Sequence, residues 1–107
     1  MKFRGGMGEL MRQASRLQRK VEARKEELKT ETVEASAGNE QVKATANGAH
    51  ELVKIQIDPA LLKNEDLTMV EDLVVAATNA AIQKSREMVE AELEKVTGGL
   101  KIPGLMG

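Results

Sequence analysis

Apolar residues recur along this chain with two different periods, and the switches between them mark its elements. Between about Met7 and Lys29, the residues Met7, Leu10, Ala14, Leu17, Val21 and Leu28 fall on the a and d positions of a seven-residue repeat, and Arg24 fills the remaining d position. That spacing predicts a helix with a narrow apolar seam of the coiled-coil kind. From Thr30 the period falls to two. Val33, Ala35 and Ala37 alternate with polar neighbours, Gly38-Asn39-Glu40 reads as a turn, and Val42, Ala44 and Ala46 alternate again. Asn47-Gly48 follows, a strong hairpin signal because both residue types tolerate positive φ. Val53, Ile55 and Ile57 form a third alternation that ends at Asp58-Pro59, since proline cannot continue a ladder. The prediction is a three-stranded antiparallel meander with one apolar face.

Ala60 to Leu67 reads as a linker. Thr68 with Glu71 three residues later is a capping box, which places the start of a second long helix between Leu67 and Met69. Val70, Leu73, Val74, Ala77, Ala80, Ala81, Lys84 and Met88 share one face of it, and Met69, Ala76 and Ile82 widen the apolar surface. Gly98-Gly99 stops it. The predicted class is therefore α+β: a long N-terminal helix, a β-meander and a long C-terminal helix. They form one domain over residues 1–107, with flexible tails at about 1–6 and 99–107. Helices of about 23 and 30 residues are about 35 and 45 Å long, whereas a compact chain of this size has a radius of gyration of about 13 Å. The second helix must outrun its own core. A homodimer, with Leu73, Val74, Ala77, Ala80 and Ala81 in its core and interface, is the expected cover.

Composition removes most catalytic chemistry. The 107 residues include no Cys, no Trp, no Tyr, one Phe and one His. No thiol nucleophile, Cys-based zinc site or disulfide framework is available. His50 alone cannot complete a triad, and it is expected as an exposed strand-end residue. The carboxylates at Glu65-Asp66 and Glu71-Asp72 read as favourable charge near a helix N-terminus. Asn79 lies in an Ala-rich helical stretch, where its amide is expected to satisfy a core or interface hydrogen bond. No nucleophile, base and oxyanion donor assemble, so the expectation is a protein without enzymatic activity, cofactor, metal or small-molecule ligand. No apolar run approaches the roughly 20 residues that span a bilayer, and the absence of a leader pattern fits the cytoplasm.

The formal net charge of −1 hides a segregation: residues 1–29 carry nine basic and four acidic side chains, net +5, while 30–60 and 61–107 are each −3. Arg12, Arg16 and Arg19 are spaced four and three apart on the helix face opposite the apolar seam, with Lys20 beside them and Lys2 and Arg4 as a flexible extension. The plain alternative is a solvated helix face. Guanidinium groups on this spacing reach duplex phosphates bidentately. With Phe3 as the single aromatic, stacking platforms for single strands are nearly absent. Binding would be to duplex DNA, sensitive to salt and weakly selective for sequence.

Several segments in order resemble the nucleoid-associated YbaB/EbfC family of bacterial DNA-binding proteins. They are Gly5-Gly6-Met7 leading into an Arg-rich helix, Val42-Lys43-Ala44-Thr45-Ala46-Asn47-Gly48, Ile57-Asp58-Pro59, Glu71-Asp72-Leu73, Thr97-Gly98-Gly99-Leu100 and Pro103-Gly104. The resemblance covers nearly the whole chain. It implies a small homodimer whose helices project like the arms of tweezers. It also implies a nucleoid protein that binds DNA, alters its conformation and contributes to nucleoid organisation, gene regulation and DNA protection. Carried onto this chain, the expected contacts are Arg12, Arg16, Arg19 and Lys20, with Lys84 and Arg86 on the second helix. Departures are the loop Gly38-Asn39-Glu40-Gln41, which has one Gly and a charge, the small Ala44 and Ala46, and the acidic second helix. A rival expectation is a protein-interaction adaptor in replication or recombination that does not touch DNA.

Overall fold

Two cores lie in series along one helix. The computed structural model describes residues 3–99, with side chains from residue 6 onward. Lys2, the Arg4 side chain and the tail beyond Gly99 lie outside the described residues. The element order is α1 (Phe3–Leu28), β1 (Thr32–Ala37), β2 (Val42–Asn47), β3 (Leu52–Ile57), α2 (Pro59–Asn64) and α3 (Leu67–Thr97). The sheet order is β1-β2-β3, antiparallel throughout. The molecule is a rod of 75 × 19 × 16 Å with a radius of gyration of 20.2 Å, well beyond the compact value.

The first core is the sheet under α3. On central β2, Val42, Ala44 and Ala46 are fully buried while Lys43 and Thr45 point the other way. Ala37, Ala35 and Val33 flank them on β1, and Ile57 and Ile55 on β3. Val70, Ala77 and Ala81 of α3 close over this face together with Leu61 of α2. The alternation that predicted the meander is thus the burial pattern of the sheet. Ala80 and Lys84, expected on the same helix face, are exposed, and Ser85 is buried instead. Beyond Ala81 the buried stripe continues four residues on at Ser85, beside His50 of the β2–β3 hairpin, and from Met88 to Val96 it packs on α1. Asn79 is exposed as well, so its amide is not in the core of this chain, one of the two places expected for it.

The second core joins α1 to the C-terminal half of α3. Val21, Leu28 and Leu93 are buried, with Met88, Val89 and Val96 packed on them. Arg24, in the polar d position of the seam, donates to Glu31 on the approach to β1, to Glu92 of α3 at 2.6 Å and to Glu27 at 3.0 Å. These hydrogen bonds raise its pKa above the ordinary arginine value, led by the one to Glu31. Glu92 in turn accepts from Lys95 at 2.7 Å, and Lys95 first and Arg24 second hold its carboxyl below the ordinary 4.5.

Four local features differ from the sequence expectation. Ala60 to Leu67 is not a bare linker: Pro59–Asn64 form α2, because Asp58 Oδ1 accepts from the Ala60 amide and Pro59 sits at the first helical position. The cap of α3 is Asp66, whose Oδ1 accepts from the Met69 amide at 2.8 Å, rather than Thr68. Val53 is not on the apolar face. Ala46 pairs with Leu52 and Thr45 with Lys54, so Val53 is the extra residue of a bulge and is 51% exposed. At the second hairpin the positive φ falls on His50, not on Asn47 or Gly48. Asn47 closes that loop with its side chain, accepting from the Ala49 and Glu51 amides. His50 Nδ1 lies 3.1 Å from Ser85 Oγ. The single hydroxyl proton of Ser85 goes to the Ile82 carbonyl, so the imidazole Nδ1–H is the donor to Ser85.

Gly48 is required for a reason other than φ. Its amide donates to the Leu28 carbonyl at 3.0 Å and to the Glu31 carbonyl at 3.1 Å, and a Cβ there would lie 2.1 Å from the Leu28 oxygen. The hairpin therefore touches backbone to backbone at the end of α1. Gly48→Ala is expected to lower unfolding free energy by about 1–3 kcal/mol or more in urea titrations. An unchanged midpoint would show that the contact is not structural.

The Glu92 cluster makes stability depend on acid pH. A carboxyl held below its unfolded value stabilises the fold above that value and loses the contribution as pH falls through its folded pKa. Thermal melting followed by circular dichroism should be level above about pH 5 and fall below about pH 4. Glu92→Gln should show a shallower fall. An equally steep fall in the variant would place the acid sensitivity elsewhere.

Candidate nucleic-acid interface

The two ends of α1 treat their charges differently. At its base Arg24 is held by three carboxylates, Lys25 lies 4.0 Å from Glu22, and Lys29 pairs with Glu26 at 2.8 Å. Toward its tip Arg16, Arg19 and Lys20 make no ion pair or side-chain hydrogen bond with any described residue. Arg12 alone of this group is engaged, donating to Glu9 at 2.9 Å one turn earlier. That pair is open to solvent, with 66% of the Arg12 side chain exposed, and an exposed i,i+3 pair of this kind is easily exchanged for another anion.

The tip is also where the helix stands alone. Antiparallel to α1, the segment from Ser85 to Thr97 runs beside it for about 18 Å. The same length measured back from Leu28 reaches Arg16 and Leu17. Leu17 is half-buried, and every described residue from Leu10 to Arg16 is exposed. Arg12 and Arg16 thus lie where α1 projects alone, while Arg19 sits about one turn further in, on the exposed side of α1 beside the end of α3; the three arginines spread over about 10 Å along the axis. Ser15 and Met11 join them around one shallow concavity. The arrangement offers forked donors on a narrow rod, with no protein wall to exclude a broad polyanion.

The remaining predicted contacts are separated from this surface. Lys84 Nζ donates to the Glu34 carbonyl on β1 at 2.8 Å, which gives that ammonium a structural role. Arg86 is exposed one turn into the C-terminal half of α3, far from the α1 tip along the rod. Glu9 is the residue that sequence reasoning passed over. Its spacing of three from Arg12 was the available signal. Among the described residues no group of three or more His, Cys, Asp or Glu side chains is placed to hold a metal ion. No described helix is long and apolar enough to cross a membrane.

Comparison with known proteins places this architecture. The chain is 46% identical over 105 residues to a nucleoid-associated protein of Thermoanaerobacter sp. (strain X514), spanning 96% of this chain and 95% of the relative. It is 49% identical over 100 residues to a nucleoid-associated protein of Moorella thermoacetica, spanning 94% and 96%. Against a nucleoid-associated protein of Myxococcus xanthus the figures are 46% over 95 residues, spanning 89% and 90%. The fold matches that of an uncharacterized protein from Helicobacter pylori with a TM-score of 0.68 at 23% identity, over 92% of this chain and 99% of that one. The model of the YbaB/EbfC DNA-binding family matches residues 3–100, and the chain belongs to that family.

Proposed function

We propose that this nucleoid-associated, DNA-binding protein grips duplex DNA through the projecting tip of α1, with Arg12, Arg16, Arg19 and Lys20 on the phosphates and Lys2 and Arg4 extending the same surface. The observation that carries the reading is that Arg16, Arg19 and Lys20 have no partner among the described residues, beside the paired base of the same helix. Within α1, pairing at the base and a cluster of bases without described partners toward the tip suit that cluster to an external anion. Contacts of this type release counterions and read phosphate rather than base. Lys84 and Arg86 are secondary contacts, Lys84 only if it leaves the Glu34 carbonyl. Membership of a DNA-binding family favours this reading over an adaptor that does not touch DNA.

Pairing of two copies completes the reading. Lys84 reaches β1 from one flank of α3. Val75 and Ile82 turn toward the opposite flank, above β3. There α3 leaves Ile55 and Ile57 only half covered, and Leu52 and Val75 are 41% and 58% exposed. An apolar trough beside an unpaired edge strand suits a second copy of the chain. Ala80 and Met69, exposed on the other flank, would remain for the partner's approach or for solvent. Two arms on one body raise the effective concentration of the second contact, and so allow DNA to be bent or bridged, the route proposed here to nucleoid organisation, gene regulation and DNA protection.

Fluorescence anisotropy with two unrelated duplexes of about 30 base pairs should give similar affinities and a steep fall with salt. Arg16→Ala or Arg19→Ala should each lessen the slope of log K against log salt by about 1. Glu9→Gln should strengthen binding about two- to fivefold at low salt. Unchanged slopes in both arginine variants would remove the tip as the contact.

Light scattering after gel filtration should report twice the chain mass for the wild type and a shift toward one chain for Val75→Glu. A monomeric wild type, or a variant that stays paired, would contradict the β3-side interface.

A further inference from the structure

One end of the rod is a step. α3 stops at Thr97, where Gly98 and Gly99 take left-handed φ values of 65° and 87° and the Gly99 amide bonds back to the Glu94 carbonyl at 3.1 Å. The last hydrophobic residue of α3, Val96, packs on the cluster of Val21, Leu28 and Leu93. α1 runs on alone. Its seam passes from fully buried Val21 through half-buried Leu17 to exposed Ala14, Leu10 and Met7, with Leu10 62% and Met7 58% exposed. The open seam lies on the side of α1 that faces α3 further in, so it continues the line of an existing helix contact.

The shape of this step matches a second copy of itself. α3 lies antiparallel to α1, and the α1 tip of another copy, set antiparallel, extends the line of α3 along the open seam. The first tip does the same for the second copy, so the two stepped ends lap over each other about a two-fold axis. Antiparallel helices set a positions against d positions. Met7 is an a and Leu10 a d, so an axis between them brings Met7 of each copy against Leu10 of the other. The flanking e and g positions are Met11, itself 65% exposed, and Gln13. Neither is charged, so no like charges meet across the lap, and a charged helix from a different protein finds no flank to pair with. Arg12, Arg16 and Arg19 occupy the opposite face and stay open. We propose that the α1 tips of two copies pair antiparallel through Met7, Leu10 and Met11, joining rods end to end. The lap covers about 10 Å of seam, less than a standard interface. It is weak between isolated ends, gains where copies are already held close, and dissociates on dilution in gel filtration. The inference stands on packing and rests on neither the DNA contact nor the β3-side pairing.

The chain has no native cysteine, so introduced thiols report the lap cleanly. At about 0.5 mM chain in a glutathione buffer, Met7→Cys mixed with Leu10→Cys should form a disulfide between chains at least about tenfold more readily than either of two controls. One is Ala14→Cys with itself, whose thiols lie about 16 Å apart along the axis in this register. The other is Arg12→Cys with itself, whose thiol points away from the seam. Equal yields would mark random collision and a dominant Ala14→Cys disulfide would mark parallel pairing; either overturns the proposal. In sedimentation equilibrium, the weight-average mass of the wild type should climb with concentration well above that of Leu10→Glu. Leu10 is exposed in the single chain, so this change leaves the fold intact. Val75→Glu should keep a climb of its own, and added salt should not weaken it, because no ion pair spans the lap. Superimposable curves for the wild type and Leu10→Glu, the result if the seam takes a different protein or stays in water, would overturn the proposal.

Discussion

The guanidinium of Arg24 meets carboxylates from α1, from the approach to β1 and from α3, and the geometry of the rod depends on that meeting. Without a fixed joint, α1 would be attached to the rest of the chain by a small patch around Val21, Leu28 and Leu93. Such a patch resists separation but does little to set register. Arg24 occupies the one polar position of an apolar seam, which is how a buried polar residue selects one alignment among several in helix pairs. The backbone contact of Gly48 with Leu28 fixes the other end of the same joint. Together they make α1 a lever with a fixed base and a free tip.

With the DNA contact proposed at the α1 tip, the lever reconciles a net charge of −1 with membership of a DNA-binding family. The acids of α1 beyond Val21, and Glu92 of α3, are matched to bases within reach, whereas Glu87, Glu90 and Glu94 leave the joint net acidic. The excess positive charge is carried about 20 Å away, toward the tip of a helix whose acids near the arginines are Glu9 and, beside Arg19, Glu22. Repulsion between DNA and the acidic body is reduced by distance and by screening, which in physiological salt acts over about 8 Å. Shape thus does what composition does not.

Much of this was legible in the sequence because it rests on local periodicity. The three strands appear with boundaries close to those read from alternation, since each strand has a buried face and a wet face. The two long helices and their excess over a compact radius were legible from spacing alone, as was the arginine stripe. What escaped depended on contacts between distant residues. Asp58-Pro59 reads equally as a strand stop and a helix start, and only the Ala60 amide decides between them. Gly48 carried a correct signal for a turn and a hidden one for backbone contact with Leu28, 20 residues earlier. Ser85 rather than Lys84 lies on the buried stripe of α3 because it faces His50, brought in by the distant β2–β3 hairpin. The distinction between paired Arg24 and unpaired Arg16 could not be read from spacing, because Glu92 comes from the far end of the chain.

The six methionines provide a direct test of the central claim, that the α1 tip and not the body meets DNA. Met7 and Met11 lie on the tip, Met69 at the start of α3 and Met88 in the joint. With methyl-labelled methionine and a duplex of about 30 base pairs, titrated at low salt, the Met7 and Met11 signals should shift and broaden first while those of Met69 and Met88 stay in place. Shifts confined to Met69 and Met88, with Met7 and Met11 unmoved, would contradict the account.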